Sequence, residues 1–196
     1  MIKKLKYKRL LNKYKALETE LEFAKEVTRY YGPQFEIYYR QYCSKNTIDI
    51  DKLNRENSAK VAKIFTTCNP EPPENQKSSP NYNVKNIFKE LARKFHPDKI
   101  SNDDPLKSEY EEIFKSITAA MDESDWGKLL SIAEEHKVKL KDYDSLCTSL
   151  QISIDNIDKK LEKEKTSYSW ALFLCEDSEQ CKEEVVKKFL NHLFGI

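Results

Sequence analysis

Two stretches of the chain place apolar residues in alternating steps of three and four positions, with charged residues between them. This spacing keeps one narrow apolar face on an α-helix, which is the pattern of a coiled-coil strand. The sequence therefore predicts two heptad helices near opposite ends of the chain. Their apolar stripes are Tyr7, Leu10, Tyr14, Leu17, Leu21, Ala24, Thr28 and Tyr31 within 4–31, and Leu140, Tyr143, Cys147, Leu150, Ile154, Ile157, Leu161 and Tyr168 within 140–168.

Each heptad helix could pair with the other or with a second copy of the chain. Both are short for stable homodimerisation, so the sequence favours an antiparallel coiled coil within one chain and a monomer over a homodimer. Gly32-Pro33 is predicted to end the first helix, because proline cannot donate a backbone hydrogen bond and clashes with the preceding turn. The aromatic-rich residues 34–43 are then predicted to form a separate short helix.

The middle of the chain carries a wider apolar face over two adjacent segments. Asn83 is placed to cap the first helix, and Asp104-Pro105 to start the second. Helices joined by a short connection pack antiparallel, so the sequence predicts a hairpin with His96, Pro97 and Asp98 at its exposed tip. The apolar positions are Val84, Ile87, Phe88, Leu91 and Phe95 in the first helix, and Tyr110, Ile113, Phe114, Ile117 and Met121 in the second.

Three further segments complete the organisation. Residues 58–65 read as a short helix, and we expect it to cover the hairpin, because two helices alone bury too little apolar area. Residues 66–83 hold four of the seven prolines and predict an extended polar loop. Residues 169–196 predict a helical cap that closes one end of the coiled coil, with an exposed docking face for a partner as the alternative.

The hairpin carries a row of basic residues that leads to its tip. Most of them are spaced i, i+4, where like charges repel by a few tenths of a kcal/mol per pair. Such a row indicates either an acidic partner or an ordinary solvated face. Its members are Lys85, Lys89, Arg93 and Lys94, and Lys99 follows the tip.

The stretch VKNIFKELARKFHPDK resembles the second helix and tripeptide of J-domain proteins, the co-chaperones of 70-kDa heat-shock chaperones. The following helix is similar to the family's third helix through Phe114, Ile117 and Ala120. The resemblance covers about 58–135 and is close only over 84–121. The matching positions are Val84, Phe88, Leu91, Ala92, Lys94, Phe95, His96, Pro97, Asp98 and Lys99.

The resemblance implies a co-chaperone that stimulates ATP hydrolysis in its partner and performs no chemistry itself. The basic row would meet an acidic surface on the chaperone's nucleotide-binding domain. Asp98 would accept a charge-assisted hydrogen bond from a partner arginine, Pro97 would fix the turn, and His96 would supply a donor. The coiled-coil arms would recruit a client protein, whose identity the sequence does not give.

The chain departs from the family pattern in three places. The Tyr-x-x-Leu-Gly-type motif of the family's first helix is replaced by the proline-rich loop, and Met121 stands where the family tends to have tyrosine. No glycine/phenylalanine-rich linker, zinc-finger cysteines or substrate-binding β-sandwich follows.

The alternative is therefore a coiled-coil scaffold with a purely structural hairpin. A nucleic-acid binder needs a wider basic footprint than one helix, and Glu90 opposes it.

The composition of the chain narrows the classes of function that the sequence allows. The net charge is +1 over 196 residues, so no global field drives the chain onto nucleic acid or membrane. The sequence has no run of about 18 apolar residues, so we expect no membrane span. It has no Gly-rich phosphate loop, so we do not expect an enzyme. Its three histidines are widely spaced, so we expect neither a metal nor a cofactor. Five cysteines without a CxxC pair predict reduced thiols and a cytoplasmic protein.

These observations predict an all-α protein in which a J-domain hairpin is attached to an antiparallel coiled coil. The expected domains are an N-terminal coiled-coil helix with a short aromatic helix (1–43), a J-domain with a proline-rich insert (58–135, insert 66–83), a second coiled-coil helix (137–168) and a C-terminal cap (169–196).

Overall fold

The computed structural model describes residues 1–67, 82–99 and 104–196, with only the backbone for 59–67. The described residues contain helices and no strand, which confirms the all-α prediction. The helices are α1 (Ile2–Lys45), α2 (Ile50–Thr67), α3 (Tyr82–Phe95), α4 (Lys107–Asp122), α5 (Trp126–Glu135), α6 (Tyr143–Lys165), α7 (Tyr168–Leu174) and α8 (Glu179–Phe194), with a 3₁₀ turn at Pro97–Lys99 between α3 and α4.

The chain divides into two compact units. The first unit comprises Met1–Glu20 and the described residues of Asn75–Lys159. The second unit comprises the described residues of Leu21–Glu74 and Lys160–Ile196.

The first unit is built around α5, whose side chains are buried on nearly every side. A helix that is apolar all round must be covered on all faces, and α3 and α4 both pack against α5. From α1, the fully buried Tyr14 lies across Gly127, where a Cβ would come within 2.2 Å of the tyrosine ring. Gly127 therefore permits the contact between the two helices. The buried residues of α5 are Trp126, Gly127, Leu129, Leu130, Ser131, Ile132 and Ala133.

Polar contacts fix the position of α1 on α5. The Tyr14 hydroxyl donates to the Asp125 carboxylate, with both oxygens at 3.0 Å. Asp125 also caps α5 by accepting from the Lys128 backbone N–H at 3.1 Å. Burial raises the pKa of Tyr14 far above its ordinary value, and the neighbouring Asp125 raises it further.

The predicted antiparallel arrangement of the two heptad helices is wrong in the first unit, where α1 and α6 start side by side. Lys3 pairs with Asp144, and the rings of Tyr7 and Tyr143 are 5.4 Å apart. Further along both helices, Arg9 and Gln151 line the same groove. An apolar stripe specifies the buried face and carries no information on direction. Direction depends on the rest of the unit, because α5 packs on α1 and is followed, after the connection 136–142, by α6.

The predicted helix end at Gly32-Pro33 is also wrong, because α1 continues to Lys45 with Pro33 inside it. The continuation is buried in a core of the second unit, through Phe35, Tyr39 and Cys43. Burial of three such side chains outweighs the cost of an internal proline, which is about 3 kcal/mol. Their core partners are Leu172, Cys175, Val185, Val186 and Leu190, so the apolar face of α8 packs within its own unit.

The prediction that the cysteines are reduced thiols holds for some of them and fails for others. Cys43 and Cys147 are free and buried, which confirms the prediction of reduced thiols for these two. Cys175 and Cys181 form a disulfide, so the prediction is wrong for this pair. The connection from α7 to α8 brings their Cα atoms to 5.4 Å, which is within bridging range. Cys68 lies outside the described residues.

Three sequence predictions concern the segments around the hairpin, and the structure tests only the last of them. Residues 58–65 form part of α2, in the second unit, and their side-chain packing lies outside the described part, so their proposed role as a cover stays a prediction. Most of the proline-rich segment 66–83 also lies outside it. The second hairpin helix begins at Lys107, later than predicted, because Asp104 accepts from the Leu106 N–H in a local turn at 2.9 Å.

No helix among the described residues combines the length and apolar character that a membrane crossing requires.

Candidate partner-binding surface

Helix α3 positions the basic row by burying its opposite face. Val84, Ile87, Leu91 and Phe95 are buried, at the spacing that the sequence predicted. This stripe packs against α4 and α5. The exposed face of α3 is therefore held in a fixed orientation by a core on the other side.

Asn83 anchors the start of α3 and does not serve as the predicted N-cap. It lies inside the first turn, and its side-chain amide donates to Asp142 Oδ2 at 2.9 Å and to Ser145 Oγ at 3.2 Å. The start of α3 is thereby tied to the start of α6.

Helix α3 ends at Phe95, and the next four residues, 96–99, form a closed turn. Pro97 cannot continue the helix, and Pro97–Lys99 form a single 3₁₀ turn. The Lys99 N–H donates to the His96 carbonyl at 3.0 Å. The Asp98 N–H donates to His96 Nδ1 at 3.2 Å. The turn thus satisfies its own backbone donors and requires no support from a ligand.

The hydrogen bond to Nδ1 decides which nitrogen of His96 is free. A ring nitrogen that accepts carries no proton, so the neutral imidazole has its proton on Nε2. The ring packs edge-on against Phe114 of α4, with centroids 5.2 Å apart, and its side chain stays 44% exposed. His96 therefore keeps one ring N–H, on Nε2, that can donate to a partner, and Phe114 of α4 packs against the ring.

Asp98 is the most exposed group of the tripeptide. Its side chain is 87% exposed, and the nearer carboxylate oxygen is 3.6 Å from His96 Nδ1. Among the described residues no lysine or arginine pairs with it. The arrangement presents a solvated carboxylate, which can accept from a guanidinium, beside an imidazole N–H, which can donate to an acceptor on a polar surface.

The five predicted basic residues divide into two groups. Lys85, Lys89 and Arg93 are exposed, and none of them has a hydrogen bond or ion pair with any residue that the structure describes. Lys99 is exposed at the end of the turn. These four cations have side chains that a partner can reach.

Lys94 has a structural role that the sequence did not reveal. Its ammonium donates to the carbonyl of His136 at 3.1 Å and lies 5.4 Å from the centre of the Phe95 ring. His136 is the C-cap of α5, where unpaired carbonyls favour a cation. The His136 ring also contacts Phe95, at a centroid distance of 4.6 Å. Lys94 thus fastens the end of α3 to the end of α5.

The described residues hold no cluster of His, Cys, Asp or Glu side chains suited to a metal ion. Comparison of the chain with protein-family models, with curated proteins and with solved structures gives no match.

Proposed function

We propose that this protein is a J-domain-type co-chaperone that stimulates the ATPase of a 70-kDa heat-shock chaperone. The observation that carries the proposal is the closed His96-Pro97-Asp98 turn at the end of a basic helix. It combines an 87% exposed carboxylate with a fixed imidazole donor. Together with the sequence resemblance over 84–121, this geometry supports docking of a preorganised tip.

The charge layout supports two separate tasks in the same surface. Lys85, Lys89 and Arg93 would steer the protein toward an acidic surface, because exposed charges act mainly on encounter rate and orientation. Asp98 would act after docking, by taking a charge-assisted hydrogen bond from a partner arginine. The chain itself would supply no reacting group.

The heptad helices α1 and α6 would serve as an arm that recruits a client protein. Their pairing within the first unit supports a parallel coiled coil inside one chain and hence a monomer. The arm would place the client near the chaperone, which raises its effective concentration without any new contact at the tip.

A second candidate is a coiled-coil scaffold in which the hairpin has only a structural role. The packing of His96 on Phe114 and the internal use of its Nδ1 favour this alternative, because both belong to the fold of the hairpin. Single-turnover ATP hydrolysis by purified heat-shock chaperones separates the two. A co-chaperone accelerates hydrolysis and loses this effect with Asp98→Asn, whereas a scaffold has no effect in either form.

A further inference from the structure

The connection between α5 and α6 runs along α3 and is held at both ends. At one end, Lys94 near the C-terminus of α3 donates to the His136 carbonyl at 3.1 Å. At the other end, Asn83 near the N-terminus of α3 donates to Asp142 at 2.9 Å. The segment 136–142 therefore runs antiparallel to α3 and beside it.

The lengths of the two elements agree with this placement. The rise along α3 from Asn83 to Lys94 is about 16 Å. The segment 136–142 can span up to about 20 Å when it is extended. Residues 136–137 form a turn, and residues 138–142 lie outside any helix or turn. The backbone is left-handed at Lys137 (φ 57°) and at Asp142 (φ 53°).

The segment 136–142 exposes a lysine at every second position. Lys137, Lys139 and Lys141 are exposed, whereas Val138 is buried and Leu140 is half-buried. This alternation in burial shows that the apolar side chains face the protein and the lysines face solvent. The apolar side holds the segment on the first unit, and the charged side is left for solvent or a partner.

A groove on this surface adds a fourth cation. It has a volume of about 430 Å³, and its lining includes Lys4 of α1 with all three lysines of the segment. Glu134 is the acidic member of the lining. On α3 itself, Glu90 lies between this segment and the basic row, as the helical spacing from Asn83 and Lys94 requires. The result is two parallel rows of cations with one carboxylate between them.

We propose that Lys137, Lys139 and Lys141 form a second docking row, which meets the same acidic chaperone surface as Lys85, Lys89 and Arg93. This inference rests on the proposed function and extends the partner contact beyond α3. The observation that favours a protein partner over nucleic acid is the position of the second row. It starts beside the end of α3 that carries the His96-Pro97-Asp98 turn, so a partner seated on the turn and on α3 also faces the segment.

The test measures binding of the full chain to a purified chaperone nucleotide-binding domain over a range of salt concentrations. Lys139→Glu with Lys141→Glu is the test variant, and Lys187→Glu with Lys188→Glu on exposed positions of α8 is the matched control. We expect roughly three- to tenfold weaker binding of the test variant at low salt, a smaller loss at high salt and no change in the control. Lys137 is left unchanged, because its left-handed backbone makes a variant there harder to interpret.

Two further measurements make the outcomes distinct. Lys89→Glu with Arg93→Glu tests the first row. If it weakens chaperone binding while the Lys139/Lys141 variant does not, the second row is overturned and the proposed function stands. If neither variant changes binding, both ideas fail. If the Lys139/Lys141 variant loses binding to a single-stranded oligonucleotide and keeps chaperone binding, the segment is a nucleic-acid surface and the proposal is overturned. Equal melting temperatures for all variants confirm that only surface charge has changed.

Discussion

The backbone N–H of Asp98 donates to Nδ1 of His96 at 3.2 Å, so one nitrogen of the imidazole is committed to the turn. We expect the neutral form of His96 to carry its proton on Nε2. Nitrogen-15 chemical shifts of the ring, measured above the titration range of histidine, identify the protonated nitrogen directly. A proton found on Nδ1 would contradict this geometry and would leave no outward donor at the tip.

Gly127→Ala is expected to destabilise the protein, against the usual sign for a helical glycine. Alanine normally stabilises a helix interior by about 1 kcal/mol relative to glycine. Here the added Cβ would meet the ring of Tyr14 at 2.2 Å, and a buried ring cannot easily move. We expect a loss of about 1–3 kcal/mol in the free energy of unfolding, measured in urea.

A double-mutant cycle checks the cause of that loss. In a Tyr14→Ala background the ring is absent, so Gly127→Ala should cost little or should stabilise the helix. An equal penalty in both backgrounds would show that the strain comes from something other than the contact with Tyr14.

The buried hydroxyl of Tyr14 predicts a pH dependence of stability. Burial, followed by the charge of Asp125, raises the pKa of Tyr14 above the unfolded value of about 10. The group stays protonated in the folded state while the unfolded state releases its proton. Its contribution to stability is therefore complete below about pH 10 and is lost as the pH rises beyond that value.

Urea unfolding from about pH 8 to about pH 11 measures this contribution as the difference between wild type and Tyr14→Phe. The wild type should lose stability more steeply with rising pH, and the variant should be less stable by about 1–2 kcal/mol near neutral pH. Parallel pH curves would mean that Tyr14 titrates alike in the folded and unfolded states.

The disulfide between Cys175 and Cys181 predicts a response to reductant. Closing so short a loop restricts the unfolded chain and stabilises the fold by about 2 kcal/mol. Melting curves with and without a phosphine reductant should show a lower transition for the reduced protein. The variant with alanine at both positions should melt at the same temperature in both conditions. A reductant effect that persists in this variant would assign it to the other cysteines.

The spacing of apolar residues predicted those features of the fold that are set within a single helix. The buried residues of α3 are Val84, Ile87, Leu91 and Phe95, at the helical spacing that the sequence predicted. This feature depends only on helix periodicity, so the sequence alone contains the necessary information.

Features that depend on distant contacts were not predictable in the same way. The local rule that proline ends a helix fails at Pro33, because burial of Phe35 and Tyr39 further along α1 outweighs it. The direction of α6 relative to α1 depends on α5, and the anchoring of Lys94 depends on a carbonyl at His136. The alternation of lysines at 137–141 was visible in the sequence, but its relation to α3 required the two anchoring contacts.

The most direct test of the central claim is single-turnover ATP hydrolysis by a purified 70-kDa heat-shock chaperone, with wild-type protein and with Asp98→Asn. Asparagine keeps the size of the side chain and removes the exposed charge, so the melting temperature should change little. We predict that the wild type accelerates hydrolysis and that Asp98→Asn abolishes nearly all of this acceleration. Equal acceleration by both proteins, or none by the wild type, would contradict the account.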